Sequence, residues 1–197
     1  MKNPDVQVPN NRIQAVKRAR SLKHKLQKDK RIYNDYCTFM NKLFDKSYAK
    51  KVTSESIEGK TWYLPHHGVY HPKKPEKIRV VFDCSATYGG VSLNSMFLQG
   101  PDLTNKIAGV LSRFREEQIA LVADIESMFH QVRVPVEQQD MLRFIWWPEG
   151  NLDAEPEDYM MCVHLFGGTH SPTNQPSSSN ATSKECVQPE ISISPNS

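Results

Sequence analysis

The sequence predicts an α+β fold: two basic helices, then antiparallel strands with helices, then a disordered C-terminal tail. Three observations carry this. Residues 12–48 repeat apolar side chains every three or four positions. Beyond residue 60 the apolar residues gather in short β-branched or aromatic runs between Pro and Gly. The 27 residues from 171 to 197 hold eight Ser, four Pro and no aromatic residue, too little apolar surface to offset the entropy of ordering them.

Residues 12–28 form the first predicted helix, with Ile13, Val16, Ala19, Leu22 and Leu26 at helical spacing. The second covers 31–48. Ile32, Tyr33, Tyr36, Phe39, Met40, Leu43 and Phe44 make a wide apolar stripe, and Asp29 stands where an N-cap belongs. Trp62-Tyr63-Leu64 is a short strand candidate stopped by Pro65, and Pro72 and Pro75 bracket a lysine-rich turn. Ile78–Phe82 reads as a strand, Thr87–Gly90 as a loop, and residues 103–115 as a helix capped by Asp102. A buried-type strand follows over 119–123, then a helical turn over 136–140. Strands over 141–147 and 159–166 flank an acidic loop, 148–158, and should pair as an antiparallel hairpin.

Of the 197 residues, 38% are hydrophobic and 24% charged, enough for one modest core. The formal charge of +3 hides a gradient: residues 1–60 hold 15 Lys/Arg against 6 Asp/Glu, and the remainder 10 against 16. A basic arm before an acidic body points to a polyanionic partner, with a solvated helix face as the alternative. Lys17, Arg18, Arg20, Lys23 and Lys25 are the candidate nucleic-acid contacts. The four cysteines are far apart with no CxxC pair, which argues against a disulfide framework or a zinc ribbon and for a reducing compartment. With no signal peptide and no apolar run long enough to cross a bilayer, an intracellular, cytoplasmic location without membrane contact is expected.

The most informative stretch is Leu121-Val122-Ala123-Asp124-Ile125-Glu126-Ser127-Met128-Phe129-His130-Gln131. A carboxylate directly after a buried strand is costly unless it meets solvent, a metal or a donor, and phosphoryl transfer with two cations needs several such groups. A lone Asp there also serves as a helix cap. His66, His67 and His71 raise a zinc reading, but no neighbouring Cys or carboxylate completes a ligand set. Ser171 beside His170 lacks the G-x-S-x-G elbow of a serine hydrolase.

Seen together, these segments resemble the reverse transcriptase of BEL/Pao-type LTR retrotransposons. The matching stretches are Tyr63–His67, Lys77–Asp83, Ser92-Leu93-Asn94 with Gly100-Pro101, Arg113-Phe114-Arg115, Ala120–Gln131, Arg143–Trp146, and Val163–Gly167 with Ser171-Pro172. They fall in the family's order over residues 61–172, with weaker likeness over 12–51. The resemblance implies an incomplete polymerase fingers/palm at 61–172, preceded by a basic helical segment at 1–60 and followed by the tail at 173–197. It implies that Asp124 is the first metal-binding, catalytic aspartate of the palm, that the Ile125 carbonyl also faces a metal, and that the cofactor is Mg²⁺. Arg79 would grip the incoming triphosphate, with Asp83 four residues on, and Lys73, Lys74 and Lys77 nearby. Phe129 would pack under the nucleotide sugar and exclude a ribose 2′-OH. Phe166 and Gly167 would open the loop that positions the base pair.

The implied partners are an RNA or DNA template-primer and deoxynucleotides. The likeness ends after Pro172, before the hairpin that bears the family's paired aspartates, so the expectation is a polymerase fragment without activity of its own. The alternative is a non-enzymatic nucleic-acid-binding or interaction protein that uses the basic helices. A histidine-rich metal hydrolase is the third reading.

Overall fold

The computed structural model describes residues 8–97, 111–112 and 126–165. The predicted helix over 103–115 (apart from Leu111 and Ser112, which are helical) and the strand over 119–123 lie outside the described residues. So do Asp124, Ile125, Phe166, Gly167 and the tail.

Helix α1 spans Arg12–Lys28 and α2 spans Lys30–Asp45. The single residue between them, Asp29, caps α2 as predicted: its carboxylate accepts from the amides of Arg31 and Ile32. The buried stripe of α1 is Ala15, Ala19, Leu22 and Leu26, and Ile13 is exposed. Ala15 and Ala19 are the small residues of this stripe, and Val16 packs half-buried at its margin. Helix α2 buries Tyr36, Met40 and Leu43, with Ile32, Tyr33, Phe39 and Phe44 packed at the margin.

After α2 the chain turns into β1, Ala49–Lys51, then runs on to β2, His66–His71, and β3, Lys74–Phe82. Strands β2 and β3 form an antiparallel hairpin with a bulge at Tyr70/His71. The predicted strand over 78–82 is thus the inner half of a longer one, and the lysine-rich turn narrows to Pro72-Lys73. A one-turn helix α3, Leu93–Met96, is closed by a Ser92/Ser95 capping box. Short 3₁₀ turns at Met128–Gln131 and Val136–Leu142 lead into β4, Arg143–Trp146. The acidic loop then brings the chain back as β5, Glu157–Met161.

Strands β4 and β5 pair antiparallel, as the hairpin expectation required, and β1 adds to the other edge of β5 in the order β1-β5-β4. Trp62-Tyr63-Leu64 is not a strand of its own. It runs parallel beside the start of β4, with Leu64 N–H donating to the Arg143 carbonyl (2.7 Å) and Arg143 N–H to that of Trp62 (3.1 Å). Asn11 completes this edge. Its amide nitrogen donates to the Tyr63 carbonyl and its amide oxygen accepts from Tyr63 N–H, both at 2.7 Å, so one side chain replaces a strand partner. Asn11 immediately precedes α1 yet makes no side-chain cap; Asn10 accepts from Arg12 N–H instead.

Buried residues from both sides of residue 60 belong to one core cluster. At its centre His66 is fully surrounded. Its Nδ1 accepts from the Tyr36 hydroxyl (2.5 Å) and its Nε2–H donates to the Ile145 carbonyl (2.9 Å), so α2, β2 and β4 meet on one imidazole. Phe82, Phe144 and Trp146 ring it at centroid distances of 5.4, 5.7 and 6.1 Å.

Two polar clusters tie the layers at the periphery. Asp158 accepts from the Arg12 guanidinium (2.9–3.2 Å) and from the Tyr63 hydroxyl (2.6 Å). Arg143, 1% exposed, is neutralised by Asp140 at 2.6 Å and also donates to the Glu55 carbonyl. A buried guanidinium is tolerable only with such partners. Gly150 sits at φ +76°, and a Cβ there would lie 2.7 Å from the Cys37 sulfur, so the loop after β4 packs flat on α2 only because it carries glycine.

Candidate nucleotide cleft

The β2–β3 hairpin leans across the outer side of α2. Arg31 ties them together, its guanidinium donating to the Pro75 carbonyl and lying 5.3 Å from the centre of the Tyr70 ring. Tyr70 in turn donates to Asp35 on α2 (2.7 Å). Between hairpin and helix, with the 3₁₀ turn at 128–131 closing one end, lies a cleft of about 650 Å³. Its floor is apolar: Phe39, Leu43, Tyr48 and Ile78. Its rim carries Lys42, Lys73, Lys74, Lys77 and Arg79 against two carboxylates, Asp35 and Glu76. Asp35 is already engaged by Tyr70 and, at 3.9 Å, by Arg31. With five cations against Asp35 and Glu76, the cleft presents a net positive rim over an apolar floor, an arrangement that concentrates anions bearing an apolar part.

Arg79 lies on the exposed face of β3, opposite Val69 on β2, and has no carboxylate partner among the described residues. The cross-strand ion pair that would make it merely structural is not formed there. Asp83, by contrast, is occupied at the end of β3. Its Oδ1 accepts from Ser85 N–H (3.0 Å) and Ser85 Oγ–H (2.6 Å), which turns the chain out of the hairpin.

Ser127 and His130 line the far end of the cleft. Ser127 holds a left-handed backbone, φ +53°, at the start of the 3₁₀ turn, an unusual conformation for a residue other than glycine. Half-buried Phe129 lies in the same turn. The His130 ring packs 5.0 Å from Tyr48, and burial, then the charges of Lys42 and Lys46, hold its pKa below the usual histidine value.

The three histidines of the zinc reading do not converge. His66 has both ring nitrogens engaged in the core, His67 is exposed, and the His71 Nδ1 accepts from Lys73 N–H. No group of three or more His, Cys, Asp or Glu side chains able to hold a metal occurs among the described residues. The described residues thus do not furnish a two-metal donor set. No helix among them is long and apolar enough to cross a membrane.

On α1, Lys17, Arg18, Arg20 and Lys25 are exposed and Lys23 is half-buried. None of the five is ion-paired among the described residues. Lys17, Arg20, His24 and Lys28, three or four residues apart, share the helix face turned from the core.

Arg79 falls on the predicted 78–82 strand and Lys73, Lys74 and Lys77 on the turn before it, and the structure joins them in one hairpin. Sequence reasoning did not find Lys42, Phe39 or Tyr48 as cleft residues, because their only sequence signal is the helical stripe of α2 and its flank. No protein-family model and no curated protein matches this chain.

Proposed function

We propose that the chain carries the fingers and the first half of the palm of an RNA-directed DNA polymerase of the BEL/Pao retrotransposon kind. One observation carries this reading beyond the motif likeness: Arg79 on the hairpin and the turn that follows Asp124 and Ile125 face each other across one cation-rich cleft. In this reading a deoxynucleoside triphosphate enters with its phosphates toward Arg79, Lys73, Lys74 and Lys77, because a guanidinium and several ammonium groups offer charge-assisted donors in the right number. Its sugar approaches the 128–131 turn, which lines the cleft through Ser127 and His130; Phe129, in the same turn but not itself a lining residue, is assigned the exclusion of a 2′-OH by the family likeness alone. When bound, Mg²⁺ supplies charge neutralisation at the transferred phosphoryl group in such enzymes. The cleft residues bind and orient the triphosphate, and no chemical step is assigned to them. In this reading Asp124 is the first of the family's metal-binding aspartates, and the property assigned to the cleft is nucleotide binding.

The test is a titration of the full chain with a fluorescent deoxynucleoside triphosphate. Arg79→Ala should weaken binding about tenfold, the usual loss of a charged hydrogen-bond donor. Equal affinity in the variant would refute the role of Arg79, and absence of nucleotide binding by the wild-type chain would refute this reading of the cleft. Primer extension by the pure chain, abolished by Asp124→Ala, would refute the expectation of inactivity.

A second reading rests on the outer face of α1. Its cations, unpaired among the described residues, make a stripe that fits a phosphate backbone, which supports a sequence-independent nucleic-acid contact. This contact serves equally a polymerase fragment or a non-enzymatic binding protein.

A further inference from the structure

Helix α2 lies outside the segment that carries the stronger family likeness, yet it forms one wall of the cleft. Lys42 and Lys46, one helical turn apart, both reach toward one oxygen of Glu126, at 3.6 and 3.7 Å. Glu126 belongs to the turn that brings Ser127 and His130 to the cleft. Two ammonium groups on a single carboxylate oxygen form an anion-holding pair. The carboxylate is poorly held: its side chain is 76% exposed, and the lysines are 57% and 40% exposed. Solvent screens such contacts, so a stronger anion displaces the carboxylate at little cost. His130, beside this pair, has its pKa lowered by burial and then by both lysines, which marks the same spot as positive. Lys42 also lines the cleft that Arg79 shares, whereas Lys46 and Glu126 lie outside its lining, so the pair meets the cleft through Lys42.

We propose that Lys42 and Lys46 form a phosphate subsite of the nucleotide cleft, and that Glu126 fills it in the free chain until a triphosphate displaces it. The inference rests on the reading of the cleft as a triphosphate site and adds to it a subsite on α2 and an internal competitor. It makes α2 part of the binding machinery as well as of the core.

The experiment titrates the full-length chain with a fluorescent deoxynucleoside triphosphate, with inorganic triphosphate as competitor and a single-stranded oligonucleotide as a separate probe. All the substituted positions are exposed, so the variants should fold; far-UV circular dichroism checks this. Lys42→Gln with Lys46→Gln should weaken nucleotide binding about tenfold, the loss of charged hydrogen bonds. Glu126→Gln should tighten it about two- to fivefold, the scale of an exposed ion pair. Inorganic triphosphate should compete in the wild type and lose most of its potency in the double lysine variant. If the lysine and Glu126 variants bind like wild type while Arg79→Gln weakens binding, the subsite is overturned and the cleft reading stands. If the lysine variants weaken binding and Arg79→Gln does not, the subsite stands and the role of Arg79 falls. If only the oligonucleotide binds, the subsite is overturned together with the triphosphate reading.

Discussion

Acid should unfold this protein through His66. The imidazole is buried with both nitrogens committed, Nδ1 accepting from Tyr36 and Nε2–H donating to Ile145. A second ring proton would point at the Tyr36 hydroxyl, whose own pKa burial raises well above 10, so the phenol keeps its proton. Burial lowers the His66 pKa from 6.5 to about 4, the Ile145 carbonyl opposes this, and the neighbouring charge of His67 adds to it. The native ring therefore stays neutral while the unfolded ring takes a proton below about pH 6.5. Between those two values the unfolded chain binds more protons, so stability rises with pH. The contribution is fully present above pH 6.5 and is lost as pH falls toward 4.

The slope approaches about 1.4 kcal/mol per pH unit, and over the window from 6.5 to 4 the loss is about 3 kcal/mol. That is a large share of the roughly 5–15 kcal/mol by which domains are stable. Urea unfolding followed by the fluorescence of buried Trp62, Trp146 and Trp147 measures it at pH 7.5, 6.5, 5.5 and 4.5. His130 and His164, also held below their usual pKa by burial, and the carboxylates contribute their own pH dependence. The informative quantity is thus the difference between wild type and His66→Gln, which keeps polar atoms at the site and does not titrate. The gap in favour of wild type at pH 7.5 should shrink by about 2.5 kcal/mol by pH 4.5. Parallel curves through the window would refute the buried, neutral imidazole.

Other consequences follow from particular contacts. Asn11→Ala leaves a buried N–H and a buried carbonyl of Tyr63 without their partner and should cost about 2–4 kcal/mol, measured as a shift in urea midpoint at constant slope. Gly150→Ala combines a left-handed backbone with a clash at the Cys37 sulfur and should lower the melting temperature by several degrees. Neutralising Lys17, Arg18, Arg20, Lys23 and Lys25 together should weaken oligonucleotide binding and flatten its dependence on salt, since a helix that neutralises fewer phosphates displaces fewer counterions. An unchanged salt slope would remove α1 from the interface. Phe129→Ala should raise ribonucleotide affinity toward that for deoxynucleotides, because discrimination by a ring disappears with its volume; unchanged selectivity would place the sugar elsewhere.

What was legible in the sequence was local. The two helices, the Asp29 cap between them, the β3 strand and the β4–β5 hairpin follow from residue spacing, cap chemistry and turn residues, each acting within a few positions. Arg79 and its lysine neighbours were legible as a strand and the lysine-rich turn before it, and family likeness added roles for them; the partner strand β2 came only with the structure. The tertiary structure decided what depends on distant residues meeting. It put Ala15 into the buried stripe of α1 and left Ile13 exposed, while Ala19, Leu22 and Leu26 stayed where their spacing put them. It committed Asn11, by type a helix cap, to the backbone of Tyr63, 52 residues away. It paired β1 with β5 across more than a hundred positions and drew His66 from a candidate metal ligand into the core. It also set Lys42 against the hairpin and the turn after Asp124. No periodicity encodes such contacts: each exists because the fold satisfies a buried polar group or fills a gap that forms only when distant elements pack.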